Sequence, residues 1–141
     1  MDKVLYTAEA LATGEGRDGH GRTSDGRLDL DLAIPKEMGG TGNGTNPEQL
    51  FAVGYAACFH SALRLVGRQE KVDVTDSAVG ARVQIGPNGN GGFGLAVELE
   101  VTLPNVDHDT ALQVTEKAHQ VCPYSNATRG NIDVKLVVTD D

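Results

Sequence analysis

The stretch "TNPEQLFAVGYAACFHSALRLVGRQE" (45–70) limits the folds open to this chain more than any other. Thr45 or Asn46 can cap a helix, Pro47 suits its first position, and Glu48 falls in its first turn. The helix is expected to end at Arg68, Gln69 or Glu70. Around it the chain reads mostly as strands. Residues 3–13 form one, and "RLDLDLAI" (27–34) alternates polar and apolar residues with period two, as a half-buried strand does. "AVGARVQI" (78–85) and "FGLAVELEVTL" (93–103) read as strands joined by the Gly/Asn turn "GPNGNGG". Asp107 can cap a second helix from about His108 to Val121. The pair "CP" at 122–123 interrupts it, because proline pushes the preceding residue out of helical geometry. A short helical turn resumes at Pro123 and ends at Gly130, and "NIDVKLVV" (131–138) is a final strand. The order βββ-α-ββ-α-(α)-β is an α+β pattern, not alternating βα units.

A chain of 141 residues suggests a single domain, 1–141, with a core large enough to need no staples. Its formal net charge of −8 argues against nucleic-acid backbones and anionic membrane surfaces as partners. The N-terminus has no basic segment followed by an apolar run, so no signal peptide is expected. The longest apolar stretch, around residues 50–59, is far too short to span a bilayer, so no membrane insertion is expected. The reading is a soluble, cytoplasmic protein. Gly14, Gly16 and Gly19 form a Gly-x-Gly-x-x-Gly, but a dinucleotide site needs a helix next. A strand is expected there, so these glycines read as turn chemistry.

Two cysteines are unlike a secreted disulfide framework. On a helical wheel, Phe51, Gly54, Ser61, Ala62 and Leu65 share the small, apolar face of Cys58. His60 points away, with Arg64 and Arg68 near its stripe. Burial among apolar groups raises a thiol pKa and suppresses reactivity, so a nucleophilic Cys58 needs a cation from elsewhere. Arg17 and Arg22 are both candidates by position. Cys122 precedes a proline at the start of a helical turn, where unpaired backbone N–H groups favour a thiolate. Three readings stand open on residue types alone: inert core thiols, a reversible disulfide, or a metal shared by Cys58, His60, His119 and Cys122. A Cys-x-His pair on one helix splays its side chains, which disfavours the metal.

The segments "TNPEQLFAVGYAACFHSAL" (45–63) and "VCPYSNATRGNIDV" (121–134) resemble the organic hydroperoxide resistance proteins, a branch of the OsmC-like superfamily of bacterial thiol peroxidases. "GRDG", "DGRLDL" and "EMGG" fit in order and spacing, so the resemblance covers nearly the whole chain. It implies an OsmC-like fold with two antiparallel-rich β-sheets wrapped around the long central helices of an intertwined homodimer. It would make Cys58 the peroxide-attacking cysteine, Cys122 the resolving one, Arg17 the activating cation and Glu48 its carboxylate partner. It implies no bound cofactor and no metal. The substrates would be organic and fatty-acid hydroperoxides, and the reductant a dihydrolipoyl dithiol, free or on a lipoylated protein. The apolar face around Phe51 and Leu65 would suit a greasy substrate tail. A non-enzymatic redox sensor or a Cys/His metal-binding module is the alternative.

One spacing bears on the dimer. Glu48 and Cys58 lie ten residues apart on one helix, which separates their Cα atoms by roughly 15 Å. A compact Cys58–Arg17–Glu48 cluster within one chain is therefore awkward. An antiparallel second copy of the helix would bring a partner's Glu48 beside Cys58, so each site is expected to take Glu48 from the other subunit.

Overall fold

The computed structural model describes residues 1–139. They divide into two compact units, Met1–Leu50 and a second that begins at Phe51.

In the first unit three short strands, β1 (Ala10–Thr13), β2 (His20–Thr23) and β3 (Asp29–Asp31), form an antiparallel sheet in that order. The glycine-rich segment read as a turn contains a strand of its own, β2. Only four residues of the expected strand 3–13 pair, because the ladder from Ala10↔Thr23 to Thr13↔His20 is as long as β2 allows. Residues 27–34 shorten to β3 for the same reason, with Leu32 making a single bridge to Thr45. Between β1 and β2 the chain makes a 3-10 turn, Gly16–Asp18, entered through positive φ at Gly14 and Gly16. Gly19 closes it, and a Cβ there would lie 2.2 Å from the Thr13 carbonyl oxygen. No helix follows the Gly-x-Gly-x-x-Gly, as its turn reading requires.

Helix α1 spans Pro47–Glu70. Asn46 and Gln49 cap it reciprocally: Asn46 Oδ1 accepts from the Gln49 N–H at 2.8 Å, and Gln49 Oε1 accepts from the Asn46 N–H at 3.2 Å. By length and composition α1 is apolar enough to cross a bilayer, which corrects the estimate from residues 50–59. The unbroken apolar run is short, but the helix extends it on both sides. Its Tyr55, Phe59, Leu63 and Val66 are buried in the protein core, the place of a core helix.

In the second unit β4 (Ala78–Pro87) and β5 (Phe93–Thr102) form a ten-residue antiparallel hairpin, and β6 (Val134–Thr139) joins β5 in parallel. The hairpin turn uses positive φ at Gly89 and Gly91, and Asn88 Oδ1 accepts from the N–H groups of Asn90 and Gly92. Val97, Leu99 and Val101 of β5 point inward, and Glu98 and Glu100 point outward toward Arg82. Helix α2 (His108–Val121) is capped by Asp107, whose carboxylate accepts from the Thr110 N–H at 2.7 Å. It buries Ala111, Val114, Thr115 and Ala118 against the same core. Cys122 breaks the helix at ψ 123°, and α3 (Pro123–Thr128) follows, ending before the expected Gly130. The α+β class and the order βββ-α-ββ-α-α-β are as the sequence pattern indicates, but the residues of β2 lie where a turn was expected.

Candidate active site

Cys58 and Cys122 meet. One sits in the middle of α1 and the other at the break between α2 and α3, and their sulfurs are 3.5 Å apart, both as free thiols. Cys122 is fully buried and Cys58 half-buried. The wheel placed Cys58 in the apolar face of the helix. Tyr55, Phe59, Ala62, Leu63 and Val66 form the buried stripe, and Cys58 lies at its edge. That placement leaves the thiol within reach of a reactant.

Three influences act on the Cys58 thiol. Burial, the largest, pushes its pKa up; a hydrogen bond from the Tyr124 backbone N–H pulls it down; the neighbouring Cys122 raises it again. The α3 amide expected to face Cys122 therefore serves Cys58. Proline at the first position of α3 contributes no N–H, so the next residue, Tyr124, carries the first free donor.

Phe51, Tyr55 and Tyr124 form a three-ring group beside the thiol pair, with centroids 5.7–6.1 Å apart. Gly54 makes room for it, since a Cβ there would stand 3.1 Å from Tyr124 Oη. Behind the rings Tyr55 Oη lies 2.8 Å from Ser125 Oγ and 3.0 Å from Thr128 Oγ1. Sequence reasoning missed Tyr55, Tyr124, Ser125 and Thr128. The signal was present: Tyr55 is one turn before Cys58, and two small hydroxyl residues follow "CPY" in a six-residue helix. Phe51 belongs to this group, whereas Leu65 is 37% exposed.

The second feature lies in the first unit. The Arg17 guanidinium makes a fork with the Glu48 carboxylate, Nη1 to Oε2 at 2.8 Å and Nη2 to Oε1 at 2.7 Å. Arg17 comes from the 3-10 turn and Glu48 from the first turn of α1. The Asp18 carboxylate pins the turn by accepting from the Ile34 N–H at 2.8 Å. Hydrogen bonding by Arg17 holds the Glu48 carboxyl below the usual carboxylate range, and Glu48 raises Arg17 in return. Arg22, the other candidate, faces Asp29 at 3.8 Å. The two arginines are thus distinguished by their partners. The fork forms within one chain. The turn after β1, not the helix spacing, sets that contact.

The histidines have other surroundings. His60 Nε2 is 2.9 Å from Ser77 Oγ, and burial and then Arg64 lower its pKa. The His119 ring lies tilted 6.4 Å from that of Phe59, and burial and then Arg129 lower its pKa. His20 lies between Asp29 and Asp31. Among the described residues no group of three His, Cys, Asp or Glu side chains is placed to hold a metal.

Comparison with known proteins supplies the family. The family model for "OsmC-like protein" matches residues 40–137. The organic hydroperoxide resistance protein of Xanthomonas axonopodis pv. citri (strain 306) is 52% identical over 139 residues, covering 97% of this chain and 96% of that protein. Organic hydroperoxide resistance protein OhrB of Bacillus subtilis (strain 168) is 43% identical, covering 94% and 97%. Among solved structures, an organic hydroperoxide resistance protein from Legionella pneumophila superposes with a TM-score of 0.93 at 50% identity, covering 97% of this chain and 99% of that one. The sequence relatives and the fold agree: the chain belongs to the organic hydroperoxide resistance branch of the OsmC-like family.

Proposed function

We propose that the protein is a cysteine-based peroxidase that reduces organic hydroperoxides, including fatty-acid hydroperoxides, to alcohols. The observation that carries this reading is the contact of two free thiols, 64 residues apart in sequence, at 3.5 Å. The names of its relatives, organic hydroperoxide resistance proteins, supply the substrate class.

The Cys58 thiolate attacks the terminal oxygen of R–O–O–H. The O–O bond breaks, the alkoxide leaves and takes a proton as alcohol, and Cys58 becomes a sulfenic acid. Cys122, as thiolate, then attacks the Cys58 sulfur. The S–O bond breaks, water leaves after protonation, and a Cys58–Cys122 disulfide remains. The sulfurs need to close by about 1.5 Å to reach a bond of roughly 2.05 Å. An external dihydrolipoyl dithiol, free or on a lipoylated protein, exchanges with the disulfide, is itself oxidised, and restores both thiols. No bound cofactor enters the cycle.

The Cys58 thiol is raised by its burial, so the cycle needs a cation to favour the thiolate and to neutralise charge on the departing oxygen. Arg17 is suited to this: its guanidinium is always charged, and Glu48 fixes its orientation through both oxygens. Phe51 and its neighbouring rings, with Leu65 beyond, offer apolar surface for an organic tail. The working form is a homodimer with its sites at the subunit interface, in which the Arg17–Glu48 pair of one subunit serves the Cys58 of the other. The ten-residue spacing along α1 favours this arrangement. So does a groove across the first sheet lined by Leu11, Leu28, Leu30, Leu32 and Leu50, apolar surface of the kind that marks an interface. The cytoplasm, where thiols are kept reduced, fits the cycle.

The experiment is a peroxidase assay with cumene hydroperoxide and hydrogen peroxide, each with dihydrolipoyl and thioredoxin donors. Turnover is expected with the organic substrate and the lipoyl donor. Absence of peroxide consumption by the fully reduced protein refutes the reading.

A further inference from the structure

Cys122 and Tyr124 reach Cys58 from one short element. Cys122 brings its sulfur to 3.5 Å, and the Tyr124 backbone N–H is the group that lowers the pKa of the Cys58 thiol. Both belong to the entry of α3, a helix of six residues. So short a helix is not stable by itself, because so few hydrogen bonds do not offset the cost of nucleation. Side chains must hold it in place.

The side chains that do so are hydroxyls. Tyr55 Oη contacts both Ser125 Oγ and Thr128 Oγ1, and Thr128 Oγ1 lies 3.3 Å from the Ser125 carbonyl oxygen. All three residues are buried, Tyr55 and Ser125 completely. One proton arrangement satisfies every group: Ser125 donates to Tyr55, Tyr55 to Thr128, and Thr128 to the Ser125 carbonyl. A chain of this kind strengthens each of its members. Tyr55 stands on α1 three residues before Cys58, so a single phenol ties both ends of α3 to the turn of α1 next to the half-buried thiol. Packing alone would be satisfied by phenylalanine.

We propose that Tyr55 is a positioning residue for the thiol pair, its hydroxyl setting, through Ser125 and Thr128, where the Cys122 sulfur and the Tyr124 amide stand against Cys58. The consequence for turnover rests on the peroxidase reading; the thiol geometry does not.

The test is Tyr55→Phe, measured by two readouts that need no hydroperoxide. The first is the equilibrium of the Cys58–Cys122 disulfide against buffers of reduced and oxidised dithiothreitol. The second is the ionisation of Cys58, followed by thiolate absorbance in a Cys122→Ser background. Loss of the hydroxyl is expected to lower the effective concentration of Cys122 for Cys58 roughly tenfold, about the worth of one or two net hydrogen bonds. Cys58 is expected to ionise at higher pH, since the Tyr124 amide that lowers its pKa is displaced. Thr128→Val, nearly isosteric, is expected to give part of both effects, and it decides the matter if Tyr55→Phe does not fold. Val101→Ala in the core serves as control, lowering the unfolding midpoint with both thiol readouts unmoved. Wild-type thiol readouts in Tyr55→Phe, or equal shifts in the Val101→Ala control, overturn the proposal. A protein without peroxidase turnover but with shifted thiol readouts refutes the proposed function and leaves this inference standing; an active peroxidase with unshifted readouts does the reverse.

Discussion

The Arg17–Glu48 fork gives a prediction whose size follows from its geometry. Both bonds are charge-assisted and short, at 2.7 and 2.8 Å, a class worth about 1.5–3 kcal/mol when shielded. The Glu48 side chain is 14% exposed but that of Arg17 is 36% exposed, so water screens the pair, and a coupling of about 1 kcal/mol is expected. A double-mutant cycle of Arg17→Ala and Glu48→Gln, followed by guanidinium unfolding at pH 7, measures it directly. The pH dependence has a defined sign. The Glu48 carboxyl titrates lower in the folded protein than in the unfolded chain. Its contribution is therefore complete above the unfolded value of about 4.3 and is lost as pH falls through the lower folded value. The stability gap between wild type and Glu48→Gln should be constant near neutrality and close in that acid window. Additive single mutants at pH 7, or a gap that persists in acid, would show that the fork does not act as a unit. If the fork also orients the cation for Cys58, Glu48→Gln should slow peroxide reduction, and Arg17→Ala should slow it further.

The remaining predictions concern the thiols, the turn and the dimer. Cys58→Ser should abolish peroxide consumption, whereas Cys122→Ser should consume about one equivalent and stall as sulfenic acid or a mixed disulfide, read by intact-protein mass; the opposite pattern reverses the two roles. Gly19→Ala drives a Cβ to 2.2 Å from the Thr13 carbonyl oxygen, so it should cost the first unit at least the ~1–3 kcal/mol of an overpacked site and lower activity. Gly21→Ala, whose Cβ meets only a Leu32 methyl at 3.6 Å, should be mild by comparison in thermal unfolding. Mixing Cys58→Ser protein with Glu48→Ala protein should restore activity on subunit exchange, because one site of the heterodimer then has both groups intact. No recovery despite demonstrated exchange would place thiol and fork in the same chain.

Local signals were legible because their causes are local. Proline at 47 and 123, the caps at Asn46 and Asp107, and the Gly/Asn turn at 88–92 act within a few residues, so α1, α2 and the β4–β5 hairpin lie near where the sequence puts them. Strand lengths in the first sheet were not legible. A strand ends where its partner ends, and β2 was hidden among glycines. The apolar run at 50–59 understated α1 for a related reason: helix length depends on caps, not on an unbroken apolar stretch.

The same division runs through the site. The sequence alone determined the two cysteines, the residue classes around them, the capped helix that carries Cys58, and the proline that breaks the chain at Cys122. Only tertiary structure decided that these thiols, separated by 64 residues, stand 3.5 Å apart. It also decided that the free amide of α3 falls on Cys58 and that Arg17 rather than Arg22 takes Glu48. Each of these depends on where one element packs on another. Packing sums many weak apolar contacts across the core, so no short window of sequence carries that information.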